Sequence, residues 1–214
     1  MLLENGIWIS KQTPRKSGQG AALFLDRDGV VIKEAHYISR ADDVMLEHGA
    51  VELLKWARDI GLAIVVVTNQ SGIARGLFGW AEFDAVEAEI TRQLSAQGVS
   101  TDLTIACAFH KGHTPDFGAA QERWRKPGPA MLELGASMVS ADLAASWMVG
   151  DRASDIGAAA NAGLAGAVHV QTGHGAKVSE EAQALARDGF PVTSVADPMA
   201  ALQILRHAFV IKSA

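Results

Sequence analysis

The sequence predicts an α/β protein built on a doubly wound parallel sheet. Three observations point there. Apolar runs of four to eight residues, rich in Val, Ile, Leu and Phe, occur at 22–25, 62–67, 103–109, 145–149 and 164–171; their continuity reads as strands buried on both faces. Stretches of helical period separate them, and strand–helix alternation is the pattern of a doubly wound sheet. Most of the polar, glycine-rich segments directly follow the carboxyl ends of these runs, where open α/β sheets place their ligand crevice.

Taken in order, residues 1–20 hold a brief apolar patch, Ile7-Trp8-Ile9, then a Lys/Gln/Pro/Ser/Gly tract, and read as an extended N-terminal arm, an ordered lead-in packed on the sheet surface rather than a functional tail. Residues 21–214 read as a single domain with no large cap domain. After the first strand, Val30 to Asp43 is polar and irregular, a loop or small flap carrying His36 and Tyr37. Val51, Leu53, Leu54, Trp56 and Ala57 recur at helical spacing over 49–60, and Gly61 ends that helix. The strand at 62–67 runs into Thr68-Asn69-Gln70-Ser71-Gly72-Ile73-Ala74-Arg75-Gly76. Phe83, Val86, Ile90 and Leu94 define one face of a helix over 80–97, closed by Gly98. A third strand, 103–109, is followed by a loop over 110–124. Pro129 suits the first turn of a helix running to about Met138. The fourth strand, 145–149, leads into Gly150-Asp151-Arg152-Ala153-Ser154-Asp155 and a small-residue helix over 156–162, whose end Asn161 is expected to cap. The fifth, 164–171, leads into Thr172-Gly173-His174-Gly175. Helices over 179–188 and 198–209 flank a short strand at 192–195.

Composition narrows the classes of partner. The 214 residues are 49% hydrophobic and 20% charged with a net charge of −5, ordinary globular values that argue against a nucleic-acid or anionic-membrane surface, which needs a basic face. A single cysteine, Cys107, excludes an intramolecular disulfide and suits a reducing compartment. No stretch approaches 18 apolar residues free of charge, and Met1 to Gly6 carries no secretory pattern, so a cytoplasmic protein is expected. Without an obvious apolar dimerisation helix, a monomer is expected.

The chemistry gathers at the strand ends. Asp26 and Asp28 follow the first strand, one residue apart; two unit charges about 4 Å apart repel by about 4 kcal/mol at an effective dielectric near 20. They call for a cation, a shared proton or a basic neighbour. With Asp151 and Asp155 they make an oxygen-rich set suited to a hard divalent ion such as Mg²⁺. The cation in turn suggests a phosphate, which Thr68, the N–H groups after the second strand, and Lys126 are placed to receive, with Arg75 and Arg125 left for further anionic groups.

Four ordered segments, Asp26-Arg27-Asp28-Gly29, Thr68 to Gly76, Arg125-Lys126-Pro127 and Gly150-Asp151-Arg152 with Asp155, resemble the motifs of the haloacid-dehalogenase-like (HAD) phosphatases, whose fold is a Rossmann-like sheet. The second and third are similar to the branch holding D,D-heptose 1,7-bisphosphate phosphatases and histidinol-phosphatase domains. The resemblance implies a Mg²⁺-dependent phosphatase of a small phosphorylated metabolite, with heptose 1,7-bisphosphate as substrate and histidinol phosphate or another sugar phosphate as alternatives. It implies Asp26 as nucleophile, Asp28 as general acid and base, Thr68 and Lys126 on the transferring group, and Asn69, Arg75 and Arg125 as further phosphate or substrate contacts. Mg²⁺ would be held by the Asp26 and Asp151 carboxylates and the Asp28 carbonyl, with Asp155 orienting Lys126 or bound water.

That branch usually carries a zinc loop, a Cys-x-His pair followed by Cys-x-Cys directly before Arg-Lys-Pro. Cys107 matches the first ligand, but Phe109, Glu122 and Trp124 replace the others. Cys107, His110, His113 and Glu122 make a poor substitute, because structural zinc favours thiolate-rich sites; packing by Phe109, Phe117 and Trp124 is expected to hold the loop instead. His36, His48, His169, His174 and His207 are expected to be loop or packing residues. A receiver-type phosphoacceptor module also combines aspartates, a threonine, a lysine and Mg²⁺, but its acceptor follows a later strand and it lacks an acid/base two residues beyond.

Overall fold

A computed structural model describes residues 2–4, 6–10 and 20–210. Among these, eight strands form one sheet, β1 (Leu2–Glu4), β2 (Ile7–Ile9), β3 (Ala22–Leu25), β4 (Ala63–Asn69), β5 (Leu103–Cys107), β6 (Trp147–Gly150), β7 (Gly166–Val170) and β8 (Val192–Val195), in the order β1-β2-β5-β4-β3-β6-β7-β8. The six strands from β3 to β8 pair in parallel. Starting at β3, the chain steps outward through β4 and β5, then returns to the other side of β3 for β6, β7 and β8. The strand order therefore reverses between β3 and β6, the kind of crevice where such sheets bind ligands.

A one-turn helix, α2 (Ser71–Ala74), follows β4, and helices cover both faces of the sheet. On one, α1 (Ala50–Asp59), α3 (Trp80–Ala96) and α8 (Pro198–Val210) place Leu53, Leu54, Val86, Ile90, Leu202 and Leu205 against Leu23, Leu25, Ile64 and Val66. On the other, α5 (Ala130–Val139), α6 (Ala153–Ala162) and α7 (Ser179–Gln183) place Met131, Leu132, Ile156 and Ala182 with Phe24, Val65, Val67 and Met148. Alternate residues of β3 and β4 thus feed opposite cores, as the two-residue period of a strand requires.

Several expectations are corrected. Ile7-Trp8-Ile9 in the ordered lead-in is a strand of the sheet itself: as β2 it pairs antiparallel with β5, and Ile7 and Ile9 are buried. A three-residue run is too short to announce itself as a strand, yet it covers an otherwise open, apolar sheet edge. The rest of the tract, residues 11–19, lies outside the described residues. The loop after β5 contains a short helix, α4 (Ala119–Trp124), begun by the Gln121 side chain accepting the Gly118 N–H at 3.0 Å. The helix expected over 179–188 stops at Gln183, ahead of a turn closed between Arg187 and Phe190. Asn161 does not cap its helix, which ends at left-handed Gly163; its amide donates to the Pro127 carbonyl at 2.9 Å.

The segment between β3 and α1 is a compact flap rather than a cap domain. Two isolated bridges, Asp28 with Ile32 and Ile32 with Leu46, fold it back, and Glu34, His36, Tyr37 and Ile38 face the cavity below. Among the described residues no helix is long and apolar enough to cross a membrane.

Candidate active site

The three strands at the reversal deliver the polar residues. Asp26 directly follows β3, its N–H still in the ladder with the Val149 carbonyl at 2.9 Å. Thr68 and Asn69 end β4, and Asp151 directly follows β6. Asp155 sits in the first turn of α6, where its carboxylate accepts the Arg152 N–H at 2.9 Å, a favourable position for negative charge at a helix start.

Lys126 comes from the loop before α5 and is 3% exposed. Its ammonium lies 2.7 Å from Asp26 Oδ1, 2.6 Å from Asp155 Oδ1 and 2.8 Å from the Val67 carbonyl. Asn69 holds its main chain at both polar groups, donating to the Lys126 carbonyl and accepting its N–H, each at 3.1 Å. Pro127 behind it packs against Gly157 of α6, where a Cβ would come within 2.9 Å.

Asp151 is fully buried. One oxygen accepts the His174 N–H at 2.7 Å; the other, Oδ1, has no hydrogen-bond partner. Gly29 and Gly173, both at positive φ, press on this carboxylate from two sides: a Cβ on either would lie 2.8 or 2.3 Å from Oδ2. Only glycine fits the conformation and the space. Ligand oxygens of Asp26, Asp151 and Asp155 lie within 4.8 Å of one another, the one such convergence of acidic, His or Cys groups among the described residues.

The electrostatics reflect this crowding. Burial pushes the Asp26 carboxyl up to about 7, with Lys126 opposing and the neighbouring carboxylates adding to the rise. Burial likewise takes Asp151 up to about 8, reinforced by Asp26 and Asp155. For Lys126, burial alone would lower the ammonium's value, but Asp155 and Asp26 outweigh it and the net movement is upward. Three carboxylates around one ammonium carry a formal charge of −2, and with the buried, partnerless Asp151 Oδ1 the donor set fits one hard divalent cation.

A cavity of about 450 Å³ opens above these groups. Every expected contact residue except Asp151 and Asp155, which lie beneath, lines it: Asp26, Asp28, Thr68, Asn69, Arg75, Arg125 and Lys126. Arg75 is 3.0 Å from His110 Nε2, and Arg125 donates to the Phe109 carbonyl at 3.1 Å. The sequence reading missed Gln70, Arg152 and Ser154 as lining residues, and His36 and His174 belong to the site rather than to neutral loops. Their places after β4, after β6 and after β7 were a usable signal, since those strand ends border the crevice. Arg27, read as a turn residue, is 1% exposed. Cys107 is buried and its thiol pushed by burial up to about 12; Phe109, with Phe117 and Trp124, packs into the core around it.

A carboxylate directly after β3, a second one two positions on, a buried lysine and an acidic pair after β6 are the arrangement of a phosphoryl-transfer hydrolase of HAD type. Residues 123–200 match the HAD-hydrolase-like family model. D-glycero-beta-D-manno-heptose-1,7-bisphosphate 7-phosphatase of Mesorhizobium japonicum is 38% identical over 165 residues, 77% of this chain and 76% of that protein. D-glycero-alpha-D-manno-heptose-1,7-bisphosphate 7-phosphatase of Photorhabdus laumondii is 34% identical over 177 residues, 80% and 94% of the two chains. Among solved structures, a HAD-like phosphatase from Mesorhizobium loti superposes with a TM-score of 0.79 at 33% identity, covering 97% of this chain and 94% of the other. D,D-heptose 1,7-bisphosphate phosphatase from B. bronchiseptica, solved with magnesium and phosphate, gives 0.73 at 34%, covering 87% and 98%. The chain belongs to the HAD-like phosphatase family that includes these heptose-bisphosphate phosphatases, and it is a hydrolase of phosphate monoesters. The phosphoacceptor-module alternative is set aside with that membership.

Proposed function

We propose that this chain removes the 7-phosphate of a D-glycero-D-manno-heptose 1,7-bisphosphate through an aspartyl-phosphate on Asp26. The observation that carries the reading is the Lys126 ammonium bridging Asp26 and Asp155 beside the partnerless Asp151 Oδ1, at the floor of a cavity ringed by Arg75, Arg125 and Arg152. A cavity of about 450 Å³ is within the usual range for a small ligand, and an arginine rim suits a substrate with a second phosphate. The named relatives act on this sugar, in both anomeric forms.

Asp26 attacks phosphorus, forming a P–O bond as the bond to the sugar oxygen breaks. Asp28 gives that oxygen its proton, then takes one from the water that releases inorganic phosphate and regenerates Asp26. Thr68 and Lys126 bind the phosphoryl oxygens through both steps. The carboxylates of Asp26 and Asp151 and the carbonyl of Asp28 would hold Mg²⁺, which when bound screens the repulsion between nucleophile and phosphate. Asp155 keeps Lys126 in place.

Comparing kcat/KM for the α and β anomers of heptose 1,7-bisphosphate, for histidinol phosphate and for other sugar phosphates tests the substrate. One heptose anomer is expected to lead by tenfold or more; preference for histidinol phosphate or an unrelated sugar phosphate overturns the assignment.

A further inference from the structure

Arg27 stands between the two aspartates of the first motif, yet its guanidinium is buried away from solvent. It donates Nε and Nη2 to the Asp28 carboxylate, with contacts between 2.9 and 3.2 Å, and Nη1 to Glu87 Oε1 at 3.1 Å. The Phe83 ring lies 5.2 Å from its centre. Glu87 projects from the buried face of α3, some 60 residues along the chain, and is not among the cavity-lining residues. Gln70 completes the grip, its amide donating to Asp28 Oδ2 and to Thr68 Oγ1, both at 2.9 Å.

This is an expensive arrangement. A guanidinium out of water is tolerated only when carboxylates and hydrogen bonds compensate it, and a bidentate fork fixes a carboxylate's plane as a single ammonium would not. The contacts on Asp28 leave it 19% exposed, at the cavity wall. Glu87 anchors the far end of the fork, and Phe83 covers its face.

We infer that Glu87 and Arg27 form a positioning pair that aims the Asp28 carboxylate at the leaving oxygen, with Gln70 tying its orientation to Thr68. The inference rests on the reading of Asp28 as general acid. Misplacing a catalytic group by about an ångström costs roughly a hundredfold. That cost falls only where the group acts: an alkyl phosphate needs its leaving oxygen protonated, whereas an aryl phosphate with an acidic phenol does not.

The test compares kcat/KM for a sugar phosphate and for p-nitrophenyl phosphate, since kcat/KM reports steps through leaving-group departure. Three variants are measured: Asp28→Asn as benchmark, the double variant Arg27→Met with Glu87→Leu, and Glu87→Gln. Removing both charges together leaves only the Asp28 carboxylate, partly exposed at the cavity wall and still holding the Gln70 amide, so the double variant is expected to fold. Should it not, Glu87→Gln, which keeps size and an acceptor oxygen, is read in its place. Asp28→Asn is expected to lower the sugar phosphate value by about 10²- to 10⁴-fold, and the pair variants by roughly tenfold to a hundredfold, with p-nitrophenyl phosphate changed less than about threefold in each. If Asp28→Asn is selective but the pair variants lower both substrates equally, or neither, the positioning role is overturned. An Asp28→Asn variant that lowers both substrates equally overturns the acid assignment itself.

Discussion

Removing divalent cations should make the protein's stability fall as pH rises, and Asp151→Asn should weaken the effect by removing one of the two raised carboxyls. Folding raises the Asp26 and Asp151 carboxyls from 3.8 to about 7 and about 8. Below pH 4 both states are protonated and the site is neutral to stability. Between 4 and 8 the folded, metal-free protein holds protons that the unfolded chain has released, so stability declines with pH across that window. Each carboxyl held protonated gives a slope of about 1.4 kcal/mol per pH unit, or roughly 3 kcal/mol between pH 5 and pH 7. Saturating Mg²⁺ supplies the missing positive charge instead; at a hundred times its dissociation constant it restores about 2.7 kcal/mol. In Asp151→Asn, the amide keeps an oxygen for the His174 N–H and places a donor where Oδ1 had no partner. That variant should be more stable than the parent at pH 8 in chelator and should gain little from Mg²⁺. Urea unfolding at pH 5, 7 and 8.5, with chelator or with Mg²⁺, measures all three effects. A parent whose stability in chelator is flat or rises over this range, or an Asp151→Asn variant that gains from Mg²⁺ as the parent does, refutes the reasoning.

Asp26→Asn keeps the shape of the side chain and should lower turnover by roughly 10⁴-fold or more, with an unchanged circular dichroism spectrum. Chelation should silence the enzyme and added Mg²⁺ restore it, read by phosphate release; full activity in chelator removes the metal from the mechanism. Asn69→Ala frees both main-chain groups of Lys126 and, on the proposed role of that lysine at the transferring group, should reduce kcat more than it raises KM. In Gly150→Ala the new Cβ would lie 2.2 Å from that of Asp155, so a loss of about 1 to 3 kcal/mol in thermal or chemical unfolding is expected, with reduced activity as Lys126 loses its partner.

The sheet and the site's principal residues are legible in sequence because both leave strong local traces. Buried parallel strands are continuous apolar runs, and a strand end carrying carboxylates announces a crevice without any knowledge of strand order. Arg27 and Glu87 show where that legibility stops. A charged residue in a turn reads as solvated, and a glutamate on a helix reads as its polar face; only the packing of α3 over the sheet brings them together and buries both. The same holds for Ile7-Trp8-Ile9, whose strand identity comes from its partner β5 rather than from its own three residues.

By itself, then, the sequence determined the alternation of strands and helices, the candidate nucleophile Asp26, the acidic set with Lys126, and the departure at Phe109 from a zinc-binding loop. The tertiary structure decided that Lys126 spans two carboxylates, that one oxygen of Asp151 is left without a partner, and that Arg27 clamps Asp28 from beneath. These depend on groups 23 to 100 residues apart meeting within about 3 Å, a matter of strand order and helix packing that local sequence does not encode.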